Sequence, residues 1–334
     1  MDVEREIRWG IVGPGRIAAN VVRDFPLVPG ARAVAVASRS TDRAAAFAVE
    51  HGLEQSYGSY AELVAAPDVD AVYIATPHPQ HRRIAVAALQ AGKAVLVEKT
   101  FTATVAGAEE VVAAARRHQV FAMEAMWTRF QPAVVAVRGL IADGAIGEVR
   151  QVQADLGVSQ PYDPTSRLFD PAQGGGAMLD LGVYVVSFAQ HFLGTPDRVS
   201  ESGSRAATGV DREAGLLLGY DDGRAATLLA SIRHYSPGTA RIVGSDGWID
   251  VEARFHHPTA FTLSRPGRDP ERMVLPQTGG GYFHELLEVT DGVRAGRTES
   301  PVMPLDDTLA VQRILNDACE QLGVQHADDD SVDV

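Results

Sequence analysis

A short apolar segment that runs into a glycine-rich turn is the feature that most constrains the fold of this chain. Residues 7–12 read Ile-Arg-Trp-Gly-Ile-Val, and residues 13–18 follow in the pattern G-x-G-x-x-A before a helical pattern begins. Gly13 permits the tight turn, Gly15 presents no side chain to a pyrophosphate, and Ala18 lets the helix pack closely on the strand. The free N–H groups at a helix start attract phosphate. The segment therefore predicts a dinucleotide-binding unit with cofactor contacts at Gly13, Gly15, Arg16 and Ile17.

The first 125 residues alternate apolar segments with amphipathic helical patterns. Strands are predicted at 7–12, 32–38, 71–75, 94–97 and 120–123, and helices at 15–24, 41–51, 59–65, 80–91 and 104–118. Because strands that alternate with helices in this way form parallel sheets covered on both faces, the pattern predicts an α/β fold with a doubly wound Rossmann sheet.

The pattern changes after residue 126, where alternating apolar and polar positions become frequent. Helices are predicted at 131–142, 176–192, 283–295 and 306–322, and strands at 148–158, 197–206, 213–220, 224–232, 239–244 and 247–252. These strands predict a large, mainly antiparallel open sheet in a C-terminal α+β domain. We expect a nucleotide-binding domain at 1–126, a substrate and dimerisation domain at 127–323, and a solvated acidic tail at 324–334.

Composition excludes several classes of protein. A net charge of −13 argues against non-specific nucleic-acid binding, which needs a basic surface. No apolar run reaches the length of a membrane span, and the acidic N-terminus lacks the apolar core of a signal peptide. The single cysteine, Cys319, fits a reducing cytoplasm and is expected to be buried and inert. His256-His257 lacks partner spacing, so no metal site is predicted.

The residues after the second predicted strand indicate which nicotinamide cofactor is bound. NAD-specific sites place an acidic residue there to bind the ribose 2′-hydroxyl, but this chain has Ser38-Arg39-Ser40-Thr41. Arg39 can pair with a 2′-phosphate, and Ser38 can donate a hydrogen bond to it. The sequence therefore predicts NADP rather than NAD. The alternative is that Arg39 is a solvated cation beside a plain helix cap.

Three polar segments follow strands of the predicted parallel sheet. They are residues 75–81, Glu98-Lys99-Thr100 and residues 123–130. Because ligands of open α/β sheets bind beyond the carboxyl ends of the strands, we expect chemistry at this edge.

With these motifs the chain resembles the family of glucose–fructose oxidoreductase and inositol dehydrogenase (Gfo/Idh/MocA) over almost its whole length. The family's nucleotide signature, its Thr-Pro-x-x-x-His segment and its Glu-Lys-Pro motif are matched by Gly13–Ala18, Thr76–His81 and Glu98-Lys99. Residues 124–130, 174–184 and 299–305 are most similar to the branch of dimeric dihydrodiol dehydrogenases and NADP-dependent D-xylose dehydrogenases. The resemblance implies NADP-dependent oxidation of a cyclic polyol, sugar or trans-dihydrodiol, with a homodimer formed through the open sheet face.

The resemblance also implies site residues. Tyr184 is the expected acid/base, supported by Lys99 and Asp180, because a lysine cation near a tyrosine favours its ionised form. Asp180 lies four residues before Tyr184 on one helix face and is expected to orient Lys99 or a substrate hydroxyl. Further expected cofactor contacts are Thr76, His78, His81, Glu98, Lys99, Trp127 and Arg129. Further expected substrate contacts are Lys99, Trp127, Tyr162 and Phe169, the last two in a lid at 159–172, and Gly174–Gly176 would permit close substrate approach.

Two departures and several alternatives stay open. Thr100 replaces the family's usual proline, and Tyr184 replaces the histidine of most of the wider family, as in the dihydrodiol branch. His78 either binds substrate or caps a turn, His81 either approaches the cofactor or is a surface residue, and Trp127 either lines the pocket or packs in a core. The activities that rival dehydrogenation are reduction of an anhydro-keto-sugar or of a carrier- or nucleotide-linked sugar, and non-catalytic dinucleotide sensing.

Overall fold

A computed structural model describes residues 5–334, which form two compact units. The first unit contains residues up to Ala125 together with Thr278–Leu309 and Ala327–Val334, and the second contains Met126–Gln277 and Ala310–His326. Residues 1–4, which start the predicted first domain and its acidic N-terminal segment, lie outside the described residues. The first unit thus takes in two later stretches of chain that a division at residue 126 does not include.

The first unit is built on a six-stranded parallel sheet. Its strands are β1 (Ile7–Val12), β2 (Ala31–Ala37), β3 (Gln55–Tyr57), β4 (Ala71–Ile74), β5 (Ala94–Glu98) and β6 (Ala122–Ala125). Its helices are α1 (Arg16–Val22), α2 (Thr41–His51), α3 (Tyr60–Ala65), α4 (His81–Gln90), α5 (Val105–His118) and α8 (Phe283–Arg294). The strand order β3-β2-β1-β4-β5-β6 reverses direction between β1 and β4. The predicted doubly wound Rossmann sheet is confirmed.

Local sequence explains where these elements begin and how they pack. Strands β4 and β5 are buried along their whole length, as expected when helices cover both faces of a sheet. Ser40 and Thr104 cap α2 and α5, where their hydroxyls accept from the N–H groups of Arg43 and Gly107. Caps of this kind satisfy the otherwise unpaired donors at a helix start.

The second unit is built on an eight-stranded mixed sheet. Its strands are β7 (Val149–Gly157), β8 (Arg198–Arg205), β9 (Asp211–Gly219), β10 (Ala225–Ser231), β11 (Ala240–Gly244), β12 (Trp248–Val251), β13 (Ala260–Ser264) and β14 (Glu271–Val274). Its helices are α6 (Pro132–Ala142) and α7 (Val183–Leu193), and α9 (Leu305–Gln321) runs across the unit boundary. The sheet order is β14-β13-β12-β11-β7-β10-β9-β8. β10 and β7 are parallel and the other pairs are antiparallel, so the mainly antiparallel sheet is confirmed.

The structure departs from the predicted elements at two kinds of place. Strands β3 and β14 were missed because β3 has only three residues and β14 is largely exposed, so that neither shows an apolar periodicity. The five-residue strand β13 was also missed. The helix predicted at 176–192 is a π-helical turn, Met178–Gly182, followed by α7. Such turns often occur at functional sites.

The acidic C-terminal segment is packed against the first unit, so the prediction of a solvated tail was wrong. The Asp328 carboxylate accepts from the Ala103 N–H at 3.2 Å, and the Asp329 N–H donates to the Pro79 carbonyl at 2.8 Å. Val332 is 5% exposed within the unit's apolar core, and Arg82 pairs with Asp330. One buried valine and a few ion pairs hold the segment. The acidic composition of the segment, on which the prediction of a solvated tail was based, does not indicate these contacts.

One helical stretch among residues 5–334, Pro171–Leu193, is long and apolar enough to cross a membrane by length and composition. The stretch is not one apolar run, because it contains Gln173, Asp180 and Gln190, so it does not contradict the sequence prediction. Most of the stretch, 83% of its apolar window, is buried inside the structure, as is usual for a helix in a protein core.

Candidate active site

The glycine turn after β1 has the geometry that the motif requires. Gly13 has a φ of +91°, and a Cβ added there would lie 3.0 Å from the backbone of Ala75. A Cβ added to Gly15 would meet nothing within 4 Å, and Gly15 directly precedes the first residue of α1, Arg16. The turn therefore requires a glycine at position 13, whereas Gly15 borders open space that can hold a pyrophosphate.

The residues after β2 suit a phosphate rather than a ribose hydroxyl. Ser38 is buried, and its hydroxyl accepts from the Ser40 N–H at 3.2 Å. Arg39 is exposed and lies beside the hydroxyl of Tyr60, whose pKa is raised by burial against the opposing effect of Arg39. An exposed guanidinium at this position can meet a 2′-phosphate without prior loss of a buried partner.

The loop after β5 holds Glu98 and Lys99. Glu98 is 8% exposed, and its Oε1 accepts from the Tyr73 hydroxyl at 2.6 Å. Lys99 is half-buried, and the Lys99–Thr100 peptide bond is cis. Lys93 and Lys99 are the only lysines of the chain. Lys93 donates to two backbone carbonyls at 2.6 and 2.7 Å, which leaves Lys99 as the one lysine at the carboxyl edge of the sheet.

Two buried side chains fix the position of this loop. His81 is fully buried, with Nε2 2.7 Å from the Thr76 carbonyl and Nδ1 3.1 Å from the Thr100 carbonyl. Glu124 is 1% exposed and accepts from the Phe101 N–H at 3.1 Å. Burial lowers the pKa of His81 to about 4 against the opposing effect of the carbonyls of Thr76, Thr100 and Phe101, and both ring nitrogens face these carbonyls. We therefore assign His81 a positioning role, and its predicted contact with the cofactor stays a prediction.

A buried acid that the sequence reasoning missed stands near Glu98. Glu285 on α8 is 1% exposed, and its pKa is raised well above the usual range by burial and then by the charges of Glu98 and Asp24. Burial and the two neighbouring carboxylates therefore favour the neutral form of this carboxyl group. No motif marked this residue, because α8 joins the first unit from far along the chain.

The remaining predicted residues of the first unit are Thr76 and His78. Both are buried at 8% and 5% exposure, and the His78 ring packs edge-on against His81 with centroids 5.8 Å apart. The structure therefore places His78 in the same tightly packed loop as His81. Contact of either residue with a cofactor stays a prediction.

In the second unit, Asp180 and Tyr184 lie at the start of the helix that follows the lid. Asp180 is in the π-helical turn and accepts from Arg167 at 2.7 Å. Tyr184 is 8% exposed, in the first turn of α7. Arg167 belongs to the predicted lid at 159–172, so an ion pair connects that segment to one of the expected catalytic residues.

Four rings form an aromatic cluster, which we define as Trp127, Tyr184, His256 and His257. The Tyr184 and His256 centroids are 5.0 Å apart, and the Trp127 and His257 centroids are 4.9 Å apart. The Thr128 hydroxyl donates to the His256 carbonyl at 2.7 Å. The sequence around His256 bears only on metal binding, and its spacing predicts no metal site. No local signal could place it beside Tyr184, because the two are on separate elements.

Arg129 was predicted to contact the cofactor, and the structure shows what its guanidinium binds within the second unit. It is 2% exposed and donates to Ser187 Oγ at 3.3 Å and to Gln190 Oε1 at 2.6 Å. Both partners lie on α7, the helix whose first turn contains Tyr184. Arg129 therefore fixes that helix, and a cofactor contact stays a prediction.

The glycines before the π-helical turn have a packing role that differs from the predicted one. A Cβ at Gly175 would lie within 3 Å of the carbonyl oxygens of the lid, and one at Gly176 would lie 2.2 Å from Asp211. Gly176 also has a φ of +126°. Close approach of the protein's own backbone and of Asp211 therefore requires glycine at 175 and 176, and close substrate approach stays a prediction.

The two aromatic residues of the lid contact each other. The Tyr162 and Phe169 rings meet edge to face with centroids 5.2 Å apart. Tyr162 is 51% exposed, whereas Phe169 is 3% exposed. Phe169 therefore anchors the lid, and Tyr162 is the member of the pair that remains accessible to a ligand.

Comparison with known proteins gives family matches over most of the chain. Residues 7–126 match the model of the GFO/IDH/MocA oxidoreductase family with an NAD-binding Rossmann fold, and residues 134–250 match the model of the GFO/IDH/MocA C-terminal domain. Trans-1,2-dihydrobenzene-1,2-diol dehydrogenase of Homo sapiens is 36% identical over 332 residues, which cover 97% of this chain and 99% of that protein.

Two solved structures are similar over nearly the whole chain. A 3-ketoreductase from Actinomadura kijaniata in complex with NADP and TDP-benzene is 27% identical, with a TM-score of 0.83 and coverage of 97% of this chain and 99% of that one. An aldose-aldose oxidoreductase from Caulobacter crescentus complexed with glycerol is 24% identical, with a TM-score of 0.85 and coverage of 96% and 98%. The second comparison supports the fold alone.

Proposed function

Because this chain belongs to the GFO/IDH/MocA oxidoreductase family, we propose that it transfers a hydride between NADP and a carbon-bound hydroxyl or carbonyl group. The substrate is a cyclic polyol, a sugar or a trans-dihydrodiol. The observation that carries this proposal is the full-length similarity to a dihydrodiol dehydrogenase, at 36% identity, together with the presence of Lys99, Asp180 and Tyr184.

The proposed reaction divides between the cofactor and the protein. Bound NADP would supply the hydride acceptor, and we assign Gly15 and Arg39 the roles of holding its pyrophosphate and its 2′-phosphate. The substrate carbon loses a hydride, and its hydroxyl loses a proton to Tyr184. We assign Lys99 the role of favouring the ionised form of that tyrosine and binding the substrate oxygen. In the reverse direction the same groups return the proton and the hydride.

The contacts within the second unit give Tyr184 a defined environment. Its ring packs against His256, and Arg129 anchors α7 through Ser187 and Gln190. We propose that the aromatic cluster binds the ring of the substrate by stacking, because aromatic faces suit the apolar face of a cyclic substrate. The Arg167–Asp180 ion pair is proposed to join the lid to this end of the site.

Reduction of a keto-sugar is the second candidate. It is favoured by the 3-ketoreductase, which is solved with NADP and TDP-benzene and is similar along 97% of this chain. Because the same residues serve oxidation and reduction, only the identity of the substrate distinguishes the two activities. A nucleotide-linked sugar would also require a longer binding surface than a free sugar does.

A substrate panel tests the proposed function. Absorbance of the nicotinamide band is followed with NADP and pentoses, hexoses, inositols or trans-dihydrodiols, and with NADPH and keto-sugars. We expect tight NADPH binding and turnover of at least one of these classes. Tight binding with no turnover of any class would favour a dinucleotide sensor, and absence of binding would contradict the proposal.

Arg39 gives a prediction about cofactor choice. Arg39→Asp removes a charged hydrogen bond to the 2′-phosphate and places a like charge beside it, so the ratio of kcat/KM for NADP to that for NAD should fall by about 10²-fold. Arg43→Asp, an exposed charge reversal on α2, is the matched control and should leave the ratio near that of the parent. An unchanged ratio in Arg39→Asp would remove Arg39 from cofactor recognition.

We further propose that the chain forms a homodimer through the open face of the eight-stranded sheet. This face has a concavity of about 910 Å³ bordered by Asp155, Leu229 and Asp250. Leu217 is 51% exposed and Trp248 36% exposed on strands of the same sheet. A second copy related by a two-fold axis would cover these apolar side chains and would set the charged groups of one face against those of the other.

Leu217 provides the test of this dimer. Leu217→Arg places a charge in a self-facing apolar surface, so the variant should elute as a monomer at concentrations where the parent is a dimer. Val49→Arg, a change at an exposed valine of α2 in the first unit, should leave the parent's mass unchanged. Light scattering after size exclusion measures both. A monomeric parent, or a dimeric Leu217→Arg, would contradict the proposal.

A cytoplasmic location and the absence of nucleic-acid or membrane partners complete the proposal. The single cysteine suits a reducing compartment, and a net charge of −13 opposes binding to polyphosphates. Fractionation of cells that express the full chain, with salt-dependent DNA retention as a second assay, tests these points.

A further inference from the structure

Three side chains with metal-binding atoms meet inside the second unit, where the sequence predicted no metal. They are Asp211, the first residue of β9, Cys319 in the last turn of α9, and His326 beyond that helix. One ligand atom of each lies within 4.8 Å of the others. More than 100 residues of sequence separate Asp211 from the other two, so no local spacing could indicate the cluster.

Asp211 and His326 contribute buried polar atoms that lack, within residues 5–334, the partners such atoms normally have. Asp211 is fully buried and Cys319 is 3% exposed. Among the described residues, Asp211 Oδ1 and both ring nitrogens of His326 have no hydrogen-bond partner. Because an unsatisfied buried polar atom costs free energy, several of them converging on one point indicate a missing ligand.

The backbone around the cluster holds it in place. α9 ends at Gln321 and is followed by Gly323, which has a left-handed φ of +68°, and the Val324 N–H donates back to the Cys319 carbonyl at 2.8 Å. This turn directs the chain back towards Cys319, where His326 follows. Gln321 exchanges hydrogen bonds with the backbone of Val199 and Glu201 on β8, which fixes the end of α9 against the sheet.

The donor set selects the class of ion. A thiolate, an imidazole and a carboxylate are the ligands of zinc sites, whereas Mg²⁺ and Ca²⁺ prefer oxygen alone. Tetrahedral bonds of about 2.0–2.3 Å separate ligand atoms by roughly 3.3–3.8 Å, so modest side-chain movement closes the observed spacing.

We propose that Asp211, Cys319 and His326 bind one zinc ion in the second unit. On binding, Zn²⁺ replaces the thiol proton of Cys319, and that proton is released to solvent. The fourth position is filled by water or by the neighbouring Glu201, whose buried Oε1 also has no hydrogen-bond partner among the described residues. The site is structural, because it ties the segment after α9 to the edge of the large sheet.

The site also touches the helix that carries Tyr184. The second carboxylate oxygen of Asp211 accepts from the Met178 N–H at 2.6 Å, at the start of the π-helical turn. The Asp211 carboxylate therefore bonds the start of the π-helical turn that leads into α7 and also belongs to the cluster. Occupancy of the site would fix the orientation of that carboxylate.

Cobalt gives a direct test, because Cys319 is the only cysteine of the chain. The full-length protein is stripped with a chelator, dialysed and titrated with CoCl₂ and separately with ZnCl₂. We expect one ion per chain, a thiolate-to-cobalt charge-transfer band that zinc abolishes, and a higher Tm with zinc. A thiolate band can arise only from Cys319. Zinc bound without that band in the cobalt form, or no stoichiometric binding of either ion, would overturn the proposal.

Single substitutions test whether Cys319 and His326 both bind the metal ion. Cys319→Ser and His326→Ala should each weaken zinc binding by at least about 100-fold and abolish the rise in Tm, while His118→Ala, an exposed histidine of α5, should bind like the parent. Circular dichroism with chelator present shows whether each variant is folded. Parent-like zinc affinity in either ligand variant would contradict the assignment, and the cobalt spectrum of the unmodified chain decides the case even if a variant misfolds.

Discussion

Tyr184→Phe should lower kcat by about 10²–10⁴-fold, the usual contribution of a positioned acid or base. Phenylalanine keeps the ring that packs against His256 and removes only the hydroxyl that would exchange the substrate proton. Binding of NADPH should therefore be unchanged, since the dinucleotide turn and Arg39 belong to the first unit. Steady-state turnover and fluorescence titration of NADPH measure the two quantities on the same preparation.

The control for this change is Tyr235→Phe, which removes a hydroxyl from a tyrosine that is 78% exposed. It should keep parent-like kcat and KM. If Tyr184→Phe retains near-full turnover, the hydroxyl is not part of the reaction. If NADPH binding is lost together with turnover, the change has disturbed the fold and the proton-transfer role is not supported.

Lys99→Ala has the second-largest expected effect, a fall in kcat/KM of about 10²–10³-fold, which is typical when one charged donor to a reacting oxygen is lost. Added ethylamine should restore part of the activity, because its ammonium group replaces the missing one. Lys99→Arg should not restore it, since a planar guanidinium differs in shape from a compact ammonium. Arg117→Ala, an exposed cation on α5, is the charge control.

The double variant shows whether the two residues act on the same proton. Groups that work as a unit give strongly non-additive effects. Tyr184→Phe combined with Lys99→Ala should therefore be about as slow as the slower single variant. Fully multiplicative losses would contradict a shared role and would favour separate roles in chemistry and in cofactor binding.

The sequence predicted the Rossmann sheet well, because its determinants are local. Strand β1 and helix α2 have the predicted bounds, and the other strands of that sheet long enough to carry a pattern lie within a few residues of their predicted places. Apolar periodicity, serine and threonine caps and glycine ends all act within a few residues of the element that they define. Long alternating strands of the second sheet were found for the same reason.

The features that were missed depend on contacts between distant parts of the chain. Val332 enters the core of the first unit, His256 packs on Tyr184, and Glu285 lies near Glu98. None of these pairs has a sequence spacing that indicates it. The π-helical turn was also missed, since its apolar pattern resembles that of an ordinary helix start. His81 matched a motif, yet its burial could not be read from that motif.

The order in which the chain is made bears on how the first unit is completed. Residues 5–125 leave the ribosome first, because synthesis proceeds from the N-terminus. Helix α8 packs on β1 and β2, and Val332 fills the same core as Leu305, but both are synthesised only after the strands of the large sheet. The first unit therefore has an incomplete apolar core until residue 332 has been translated, and a premature stop before that residue would damage a unit whose sheet was made much earlier.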